Sequence, residues 1–527
     1  MDQVQRMANQ KCSSFAEQSL ALMCERSSVL EKTLKNFGHL TLGDYLYRVL
    51  KISKDSLQPQ KDLIEIVYHY VEPLLGESIA ETVAIELDAF PVVLTANHHG
   101  ADFLAQSVQN SLIFSLRKIN DKQARTVPVF ACGSIALNNP TYPRGILIYQ
   151  TDTKSQNFTL PVRLPVFPDK YKKKVVSTVE SYDSEMLARI EKRLFLMVRE
   201  NRIPKSLAVT VKAILDEDYR DPPIMRLPTY SQQAVVLNNR IWKRCFKKSE
   251  QSTEMVCLEL EYITSQLLQI DLKDEASLAW QILFNPTLRT QVLGQLNQVK
   301  ACWDQDKLSS RVHSMNRTFD VSNGCGTIFF WALDDDGCRV PLSLIVTSYE
   351  VTLQGRNDRG ELLTVPFKPQ DVIDNLRARR LLPSLFTCYS TIGFARGVSC
   401  CGGYFQADYL SVMQRGIVNA LSESSGNMRI IERISEVPSD IYLSGMQTIT
   451  RNLSEDVLLP VGPIELIAGG GLSKRQLESI SLLKLYDIHL AGLIESYPDF
   501  QRPEERQDDW CLLLAKEFSS LLQDRTV

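Results

Sequence analysis

The sequence lacks the long apolar runs and the charge imbalance that would place a chain at a membrane or on nucleic acid. No stretch approaches the roughly 20 consecutive apolar residues of a membrane span. The opening MDQVQRMANQKCSSF has no apolar segment like that of a secretory signal peptide. Lys and Arg number 59 against 62 Asp and Glu, and the formal net charge of −3 gives no general attraction to polyanions. We therefore expect a cytoplasmic chain that binds neither nucleic acid nor membrane.

Cysteine and histidine are also scarce. Twelve cysteines in 527 residues are far below the density of a disulfide scaffold. No two of them have the C-x-x-C spacing of a zinc or redox site, so we expect reduced thiols. Because only six histidines are present, the adjacent pair His98 and His99 stands out.

The composition is that of a globular protein, with 44% hydrophobic and 23% charged residues. The chain is too long for one hydrophobic core. Alternating predicted strands and helices indicate an α/β fold with a Rossmann-like, mainly parallel sheet. We divide the chain into a helical N-terminal region (1–88), the first part of the α/β core (89–180), a mainly helical insertion (181–310) and the second part of the core with terminal helices (311–527). Within the insertion, helices are predicted over 181–200, 231–246 and 254–270.

The predicted fold and site depend mainly on the segment at 90–116, FPVVLTANHHGADFLAQSVQNSLIFSL. Its β-branched run at 91–95 indicates a buried parallel strand, followed by a polar turn and then apolar residues at helical spacing. The next apolar run, 127–132, supplies the second strand of a βαβ unit. Ligands of open α/β sheets sit at the carboxyl ends of strands, beside helix N-termini. The turn that carries Asn97, His98, His99 and Gly100 is therefore a candidate site.

Two later segments are also candidates for ligand binding. The loop after the second strand contains Asn138, Asn139 and Arg144, and a guanidinium can bind a carboxylate or phosphate in bidentate fashion. Gly402-Gly403-Tyr404 precedes a predicted helix, where glycines let the backbone approach a ligand closely. A plainer interpretation stands beside each: a histidine that caps a helix, a surface arginine, or a glycine pair that serves close packing.

The order of these pieces resembles that of the bacillithiol-biosynthesis cysteine-adding enzymes and their uncharacterised Rossmann-like relatives. The matching segments are VLTANHHG at 93–100, the strand at 128–130, and LPSLF at 382–386 running on to GGY at 402–404. Ala96-Asn97 stands where that family has a glycine. The resemblance implies a Rossmann-like site that joins or modifies a small metabolite bearing an amine or a carboxylate.

We interpret the chain as an enzyme of the ligase or transferase type, acting on a small-molecule substrate. An imidazole of His98 or His99 would act as general base on an attacking amine or support a developing oxyanion. The sequence identifies no cofactor and leaves a nucleotide open, and it does not indicate an oligomeric state. The residues that would bind substrate or an anionic group are Asn97, Gly100, Asn138, Asn139, Arg144, Gly402, Gly403 and Tyr404.

Three alternatives remain at this point. A metal-dependent hydrolase or oxygenase would use His98 or His99 together with ligands from elsewhere. A non-catalytic scaffold would use the glycine turns for packing alone. A cysteine nucleophile, Cys132 or Cys401, is a third alternative, although no local histidine partner can be read from the sequence.

Overall fold

The computed structural model describes residues 14–50, 60–149, 161–248, 252–313, 327–424, 427–454 and 457–522. Residues 1–13 of the opening segment, for which no signal peptide is predicted, lie outside these ranges. In the described part of the chain, no helix combines the length and the apolar character needed to cross a membrane. The ten cysteines of these ranges are all free thiols.

Helices and strands occur in blocks along the chain, which makes it a mixed α/β protein. The helices are α1 (Phe15–Arg26), α2 (Ser28–Phe37), α3 (Leu42–Val49), α4 (Lys61–Leu75), α5 (Glu77–Ala89), α6 (Ala105–Ser115), α7 (Ser184–Arg199), α8 (Lys205–Ile214), α9 (Pro222–Met225), α10 (Tyr230–Arg244), α11 (Leu260–Asp271), α12 (Leu278–Phe284), α13 (Pro286–Gln295), α14 (Gln305–His313), α15 (Pro369–Arg377), α16 (Leu385–Cys388), α17 (Tyr404–Glu423), α18 (Met428–Glu436), α19 (Pro463–Ala468), α20 (Lys474–Ile480), α21 (Leu485–Phe500) and α22 (Trp510–Leu522). The strands are β1 (Val92–Leu94), β2 (Lys118–Ile119), β3 (Lys122–Gln123), β4 (Thr126–Ala131), β5 (Gly145–Ile148), β6 (Val162–Pro165), β7 (Glu254–Glu259), β8 (Phe330–Leu333), β9 (Arg339–Pro341), β10 (Ser343–Val346), β11 (Val351–Arg356), β12 (Leu362–Pro366), β13 (Leu381–Pro383), β14 (Ser399–Cys401), β15 (Thr450–Ser454) and β16 (Val457–Pro460).

A four-stranded parallel sheet lies at the centre, in the order β14-β1-β4-β7. β1 pairs with β14 on one side, Val92 opposite Ser399, and with β4 on the other. β4 and β7 pair over six residues. Helix α6 connects β1 to β4, so the predicted βαβ unit over 90–132 is confirmed.

Both faces of this sheet are buried, because successive side chains of a strand point to opposite sides. Val93 of β1 and Phe130 of β4 belong to a core shared with helices α4, α5 and α11. Val92 and Val129 belong to a core shared with α3, α6 and Trp242 of α10. Burial on both faces explains the near-continuous apolar runs of these strands.

Strand β7 corrects one prediction, since residues 254–270 were expected to form a single helix. Glu254–Glu259 is instead a strand, and α11 begins only at Leu260. A short apolar run fits a buried strand and a buried helix equally well by periodicity. Pairing with β4 decides the outcome, and it places Glu259 at the carboxyl edge of the sheet.

The remaining strands form small antiparallel sheets. Asp336-Gly337 between two apolar runs predicts a hairpin, and β8 and β9 form it, with Gly337 at its tip donating to the carbonyl of Asp334 at 2.9 Å. The sequence over 371–382 predicts a short basic helix, but α15 ends at Arg377, and β13 pairs with β8. The apolar run at 146–149 predicts a strand, which the structure shows as β5, paired with β6 outside the central sheet.

Candidate functional site

The segments that follow the parallel strands are joined to one another along the carboxyl edge of the sheet. The N–H of Thr95 donates to the carbonyl of Cys401 at 2.9 Å. The N–H of His99 donates to the carbonyl of Cys132 at 2.8 Å, and the N–H of Cys132 donates to the carbonyl of Asn97 at 3.2 Å. The turns after β1, β4 and β14 are therefore neighbours at this edge.

His98 is half-buried and held by the loop that follows β4. Its Nδ1 lies 3.0 Å from the hydroxyl of Thr141, which itself donates to Oδ1 of Asn139 at 2.9 Å. Because Thr141 has one hydroxyl proton, the Nδ1 of His98 must be the donor of that pair. Burial lowers the pKa of His98 to about 4, so the ring is neutral at pH 7.

His99 is fully buried and belongs to a second chain of hydrogen bonds. Its Nε2 lies 2.8 Å from the hydroxyl of Ser231, which donates to Oε2 of Glu259. The single proton of Ser231 goes to the carboxylate, so Nε2 of His99 carries a proton and donates. Burial lowers the pKa of His99, against the opposing effects of Glu259 and Glu261. Its Nδ1 has no hydrogen-bond partner among the described residues.

Glu259 and Glu261 stand at the junction of β7 and α11, both almost entirely buried. Glu261 accepts the N–H of Gly133 at 2.7 Å, the N–H of Ser134 at 3.0 Å and the thiol of Cys132 at 3.1 Å. A buried carboxylate needs such donors, because its loss of hydration is costly. Glu261 therefore ties the end of β4 to the start of α11.

Gly133 occupies a position where a larger residue would not fit. A Cβ there would overlap the hydroxyl of Ser177 and stand 3.0 Å from Cγ of Glu259. Ser177 lies in a short 3-10 turn, Val176–Thr178, and its N–H donates to the carbonyl of Gly133 at 3.0 Å. Close approach of this backbone brings the Ser177 hydroxyl to the end of β7.

A cavity of about 390 Å³ opens at the carboxyl end of β7, and we refer to it as the Glu259 cavity. This volume is within the range of small-molecule sites. One wall is the face of α11 that begins at Glu261, and the opposite wall comes from the segment 376–382. The polar lining includes Glu259, Glu261, Ser177, Gln266, Arg377 and Arg379.

A second cavity, of about 20 Å³, lies beside the turn after β1 and has room for about one water molecule. Asn97, His98, Asp102 and Asn238 contribute to its lining. Asn238 donates to the carbonyl of Gly100 at 2.8 Å and accepts the N–H of Asp102 at 2.9 Å. Burial raises the pKa of Asp102 to about 6. These bonds give the turn a fixed shape.

Within this turn, Asn97 and Gly100 have structural contacts. Asn97 is buried, with Oδ1 accepting the side chain of Asn110 at 3.3 Å and Nδ2 donating to Asp102 at 3.3 Å. Gly100 has φ +128°, and a Cβ would come within 2.7 Å of Cβ of Pro143. Glycine is therefore required at position 100 by both conformation and space.

The predicted residues of the loop after β4 are spread out. Asn138 is exposed, whereas Asn139 supports His98 through Thr141. Arg144 pairs with the carboxylate of Asp169 at the surface. The structure brings Asn139 to the histidine turn and leaves Asn138 and Arg144 outside the lining of both cavities.

The glycine pair before α17 also lies outside the two cavity linings. The carbonyl of Gly402 accepts the N–H of Leu443 at 3.0 Å, and Gly403 is the residue preceding the first turn of α17. The ring of Tyr404 packs edge-on against that of Tyr442, with 5.6 Å between centroids. These contacts join α17 to the segment around residue 443.

Sequence reasoning missed Glu259, Glu261, Ser231 and Ser177. A signal for the first two was present, because ELEY directly follows the apolar run MVCL. Assigning that run to a helix removed the reason to look there. Ser231 and Ser177 gave no signal, since each reaches the site only through tertiary packing.

The structure also bears on the two cysteines and on the metal site that the sequence left as alternatives. Burial, then Glu261, raises the pKa of Cys132 well above its ordinary value, and burial raises the pKa of Cys401 to about 12. Both are therefore protonated thiols at pH 7, which is the less nucleophilic form. Within the described ranges, no three His, Cys, Asp or Glu side chains are grouped so that they could hold a metal ion.

Comparison with models of protein families, with curated proteins and with solved structures finds no match to this chain. The resemblance to the cysteine-adding enzymes therefore stays a prediction.

Proposed function

We propose that this chain is a small-molecule enzyme of the ligase or transferase type, with its substrate bound in the Glu259 cavity. The observation that carries the proposal is the hydrogen-bonded chain His99–Ser231–Glu259, which ends at a carboxylate lining the cavity. Such convergence of buried polar groups on a cavity is typical of active sites. The substrate class is a metabolite that bears an amine or a carboxylate.

In this proposal Glu259 is the catalytic base. An amine that attacks an electrophilic centre must lose a proton, and a carboxylate shielded from water can receive it. Ser231 holds Oε2, and Oε1 would receive the proton. His99 donates to Ser231 and so orients its hydroxyl, which makes His99 a positioning residue.

The strand order supports a Rossmann-like interpretation of the sheet. Counted from β1, the order β7-β4-β1-β14 corresponds to 3-2-1-4, the order of the first four strands in doubly wound dinucleotide-binding folds. In that fold a ligand would lie between the first and fourth strands, β1 and β14.

A side chain of the protein occupies that point in this structure. The side chain of Gln406 covers Gly402 and donates to the hydroxyl of Thr95 and to the carbonyl of Cys400. These bonds join the ends of β1 and β14 directly. The substrate site of this proposal lies instead beside β7.

The proposal is tested by binding, using Glu259→Gln and a matched control. Purified protein is screened by thermal shift against a panel of primary amines and amino acids, since a bound ligand raises the apparent stability. Glu259→Gln should abolish any shift seen with the parent. Glu465→Gln changes an equally buried glutamate outside the cavity and should retain it. If the Glu259 variant responds like the parent, or if no amine shifts the parent, the proposal is wrong.

A further inference from the structure

We infer that the Glu259 cavity selects small molecules with an ammonium group at one end and a carboxylate or phosphoryl group at the other. The inference rests on the proposed function and deepens it by naming the substrate class. It comes from a gradient across the cavity, in which buried carboxylates line the inner part and exposed guanidinium groups line the outer part.

The inner part has negative charge without a counterion. Glu259 is 3% exposed, and its partner is the hydroxyl of Ser231. Neither Glu259 nor Glu261 forms an ion pair with a Lys or Arg of the described ranges. The buried guanidinium of Arg339 acts electrostatically on Glu261 and donates to the carbonyl of Ser134 at 3.0 Å. Because buried charges are normally paired, Glu259 is the group that a ligand cation would neutralise.

Ser177 supplies a second and independent sign of a ligand at this end. It is 2% exposed and lines the cavity, yet its hydroxyl has no hydrogen-bond partner among the described residues. Buried hydroxyls are rarely left without a partner in folded proteins. An ammonium group bound to Glu259 has three donors, so it has a proton available for a neighbouring hydroxyl acceptor.

The outer part has positive charge, carried mainly by Arg379, because Arg377 pairs with the carboxylate of Asp374 at 3.3 Å. Arg377 and Arg379 line the cavity from the end of α15, and both side chains are exposed. The guanidinium of Arg379 lies over the ring of Tyr262 at 5.5 Å from its centroid and donates to the carbonyl of Ser177 at 3.4 Å. Guanidinium groups bind carboxylate and phosphoryl oxygens in bidentate fashion.

The backbone of Arg379 indicates that its side chain has a role beyond ending the helix. With φ +52°, it occupies the left-handed position that follows a helix and that glycine normally takes. The N–H of Arg380 donates to the carbonyl of Asn375 at 2.9 Å, which completes this ending. The left-handed backbone alone would favour glycine at position 379. An arginine at this position differs from glycine in that its side chain lines the cavity.

The first experiment uses ligands that differ only in their charged ends. Binding of 6-aminohexanoate, hexylamine and hexanoate to the full chain is measured by isothermal titration calorimetry. We expect 6-aminohexanoate to bind at least tenfold more tightly than either of the others. The analogue 5-aminopentylphosphonate replaces the carboxylate, and the tighter of the two zwitterions identifies the acidic group.

Equal binding of hexylamine and 6-aminohexanoate would overturn the inference and leave the proposed function standing, because the role of Glu259 as catalytic base requires only the amine. Absence of binding by all four compounds would also overturn it. Tighter binding of hexanoate than of the zwitterions would do the same.

The second experiment separates binding from folding with Arg379→Gly. Glycine suits the left-handed backbone, so the melting temperature should stay the same or rise, while the advantage of 6-aminohexanoate over hexylamine should fall at least fivefold. Asn201→Gly is the matched control, because Asn201 has φ +54° just after α7 and lies outside the cavity lining. If Arg379→Gly binds all compounds like the parent, Arg379 does not determine specificity and the inference is wrong.

Discussion

Two pairs of glutamates, all buried except the half-buried Glu495, have different surroundings in this protein. In the first pair, Glu465 accepts the N–H of Tyr149 at 2.8 Å and the N–H of Gly462 at 3.0 Å. Glu495 accepts the hydroxyl of Tyr149 at 3.1 Å and the side chain of Gln447 at 2.5 Å. Burial raises the pKa of both carboxyl groups to about 7.

In the second pair, at the junction of β7 and α11, Glu261 and Glu259 have different hydrogen-bond partners. Glu261 is bound by two backbone N–H groups, as Glu465 is, whereas Glu259 is bound by the hydroxyl of Ser231 and lines a cavity of about 390 Å³. A buried carboxylate whose oxygens are all bound supports the fold. One that faces open space lowers stability and provides a binding group. The cavity, more than burial itself, distinguishes the two pairs.

The largest effect on stability should come from Glu465→Ala. Removing this carboxylate leaves two buried N–H groups without an acceptor, and we expect a loss of about 2–4 kcal/mol in the free energy of unfolding. Glu259→Ala leaves no backbone donor unpaired and should cost no more than about 1 kcal/mol. Urea unfolding of both variants measures the difference. Equal losses in the free energy of unfolding would show that Glu259 and Glu465 contribute equally to stability.

A smaller effect should be seen in the pH dependence of stability. The pKa of Glu465 is about 7 when folded and near 4.5 in its ordinary state. Between about pH 4.5 and pH 7, the folded protein therefore keeps the proton of Glu465, whereas the unfolded chain has released it. The resulting stabilisation is complete below about pH 4.5 and is lost as the pH rises through about 7. Glu465→Gln should reduce the parent's loss of stability between about pH 5 and pH 7 by about 1–3 kcal/mol.

Unfolding of parent and variant in urea at several pH values tests this prediction. Comparing the two chains cancels the contribution of His98 and His489, whose lowered pKa values change stability in the opposite direction. Parallel curves for the two chains would contradict the raised pKa of Glu465.

The smallest effect concerns the two histidines. His99→Ala removes the donor to Ser231 and should weaken binding of 6-aminohexanoate about three- to tenfold, the equivalent of one hydrogen bond. His99→Gln restores an N–H donor and should recover part of that loss. His98→Ala should change the affinity less than about twofold, because its ring bonds to Thr141 beside the smaller cavity. A larger loss in His98→Ala would place the site at the turn after β1.

The candidate site could be predicted in part. The turn with His98 and His99 lies at the carboxyl edge of the sheet, as a strand, a polar turn and a helix in succession require. The sequence did not show that His99 acts through Ser231, which comes from α10, far along the chain. Glu259 was overlooked because a six-residue apolar segment does not reveal whether it is a strand or the start of a helix.

The sequence by itself determined the parallel strands β1 and β4, the βαβ unit around His98 and the hairpin at Asp334–Gly337, because these follow from local apolar patterns and turn residues. Only the tertiary structure decided that 254–259 pairs with β4 and that Ser177, Glu259 and Arg379 line one cavity. Those residues are brought together by contacts between distant segments, and the free energy of such packing depends on the whole chain rather than on neighbouring residues.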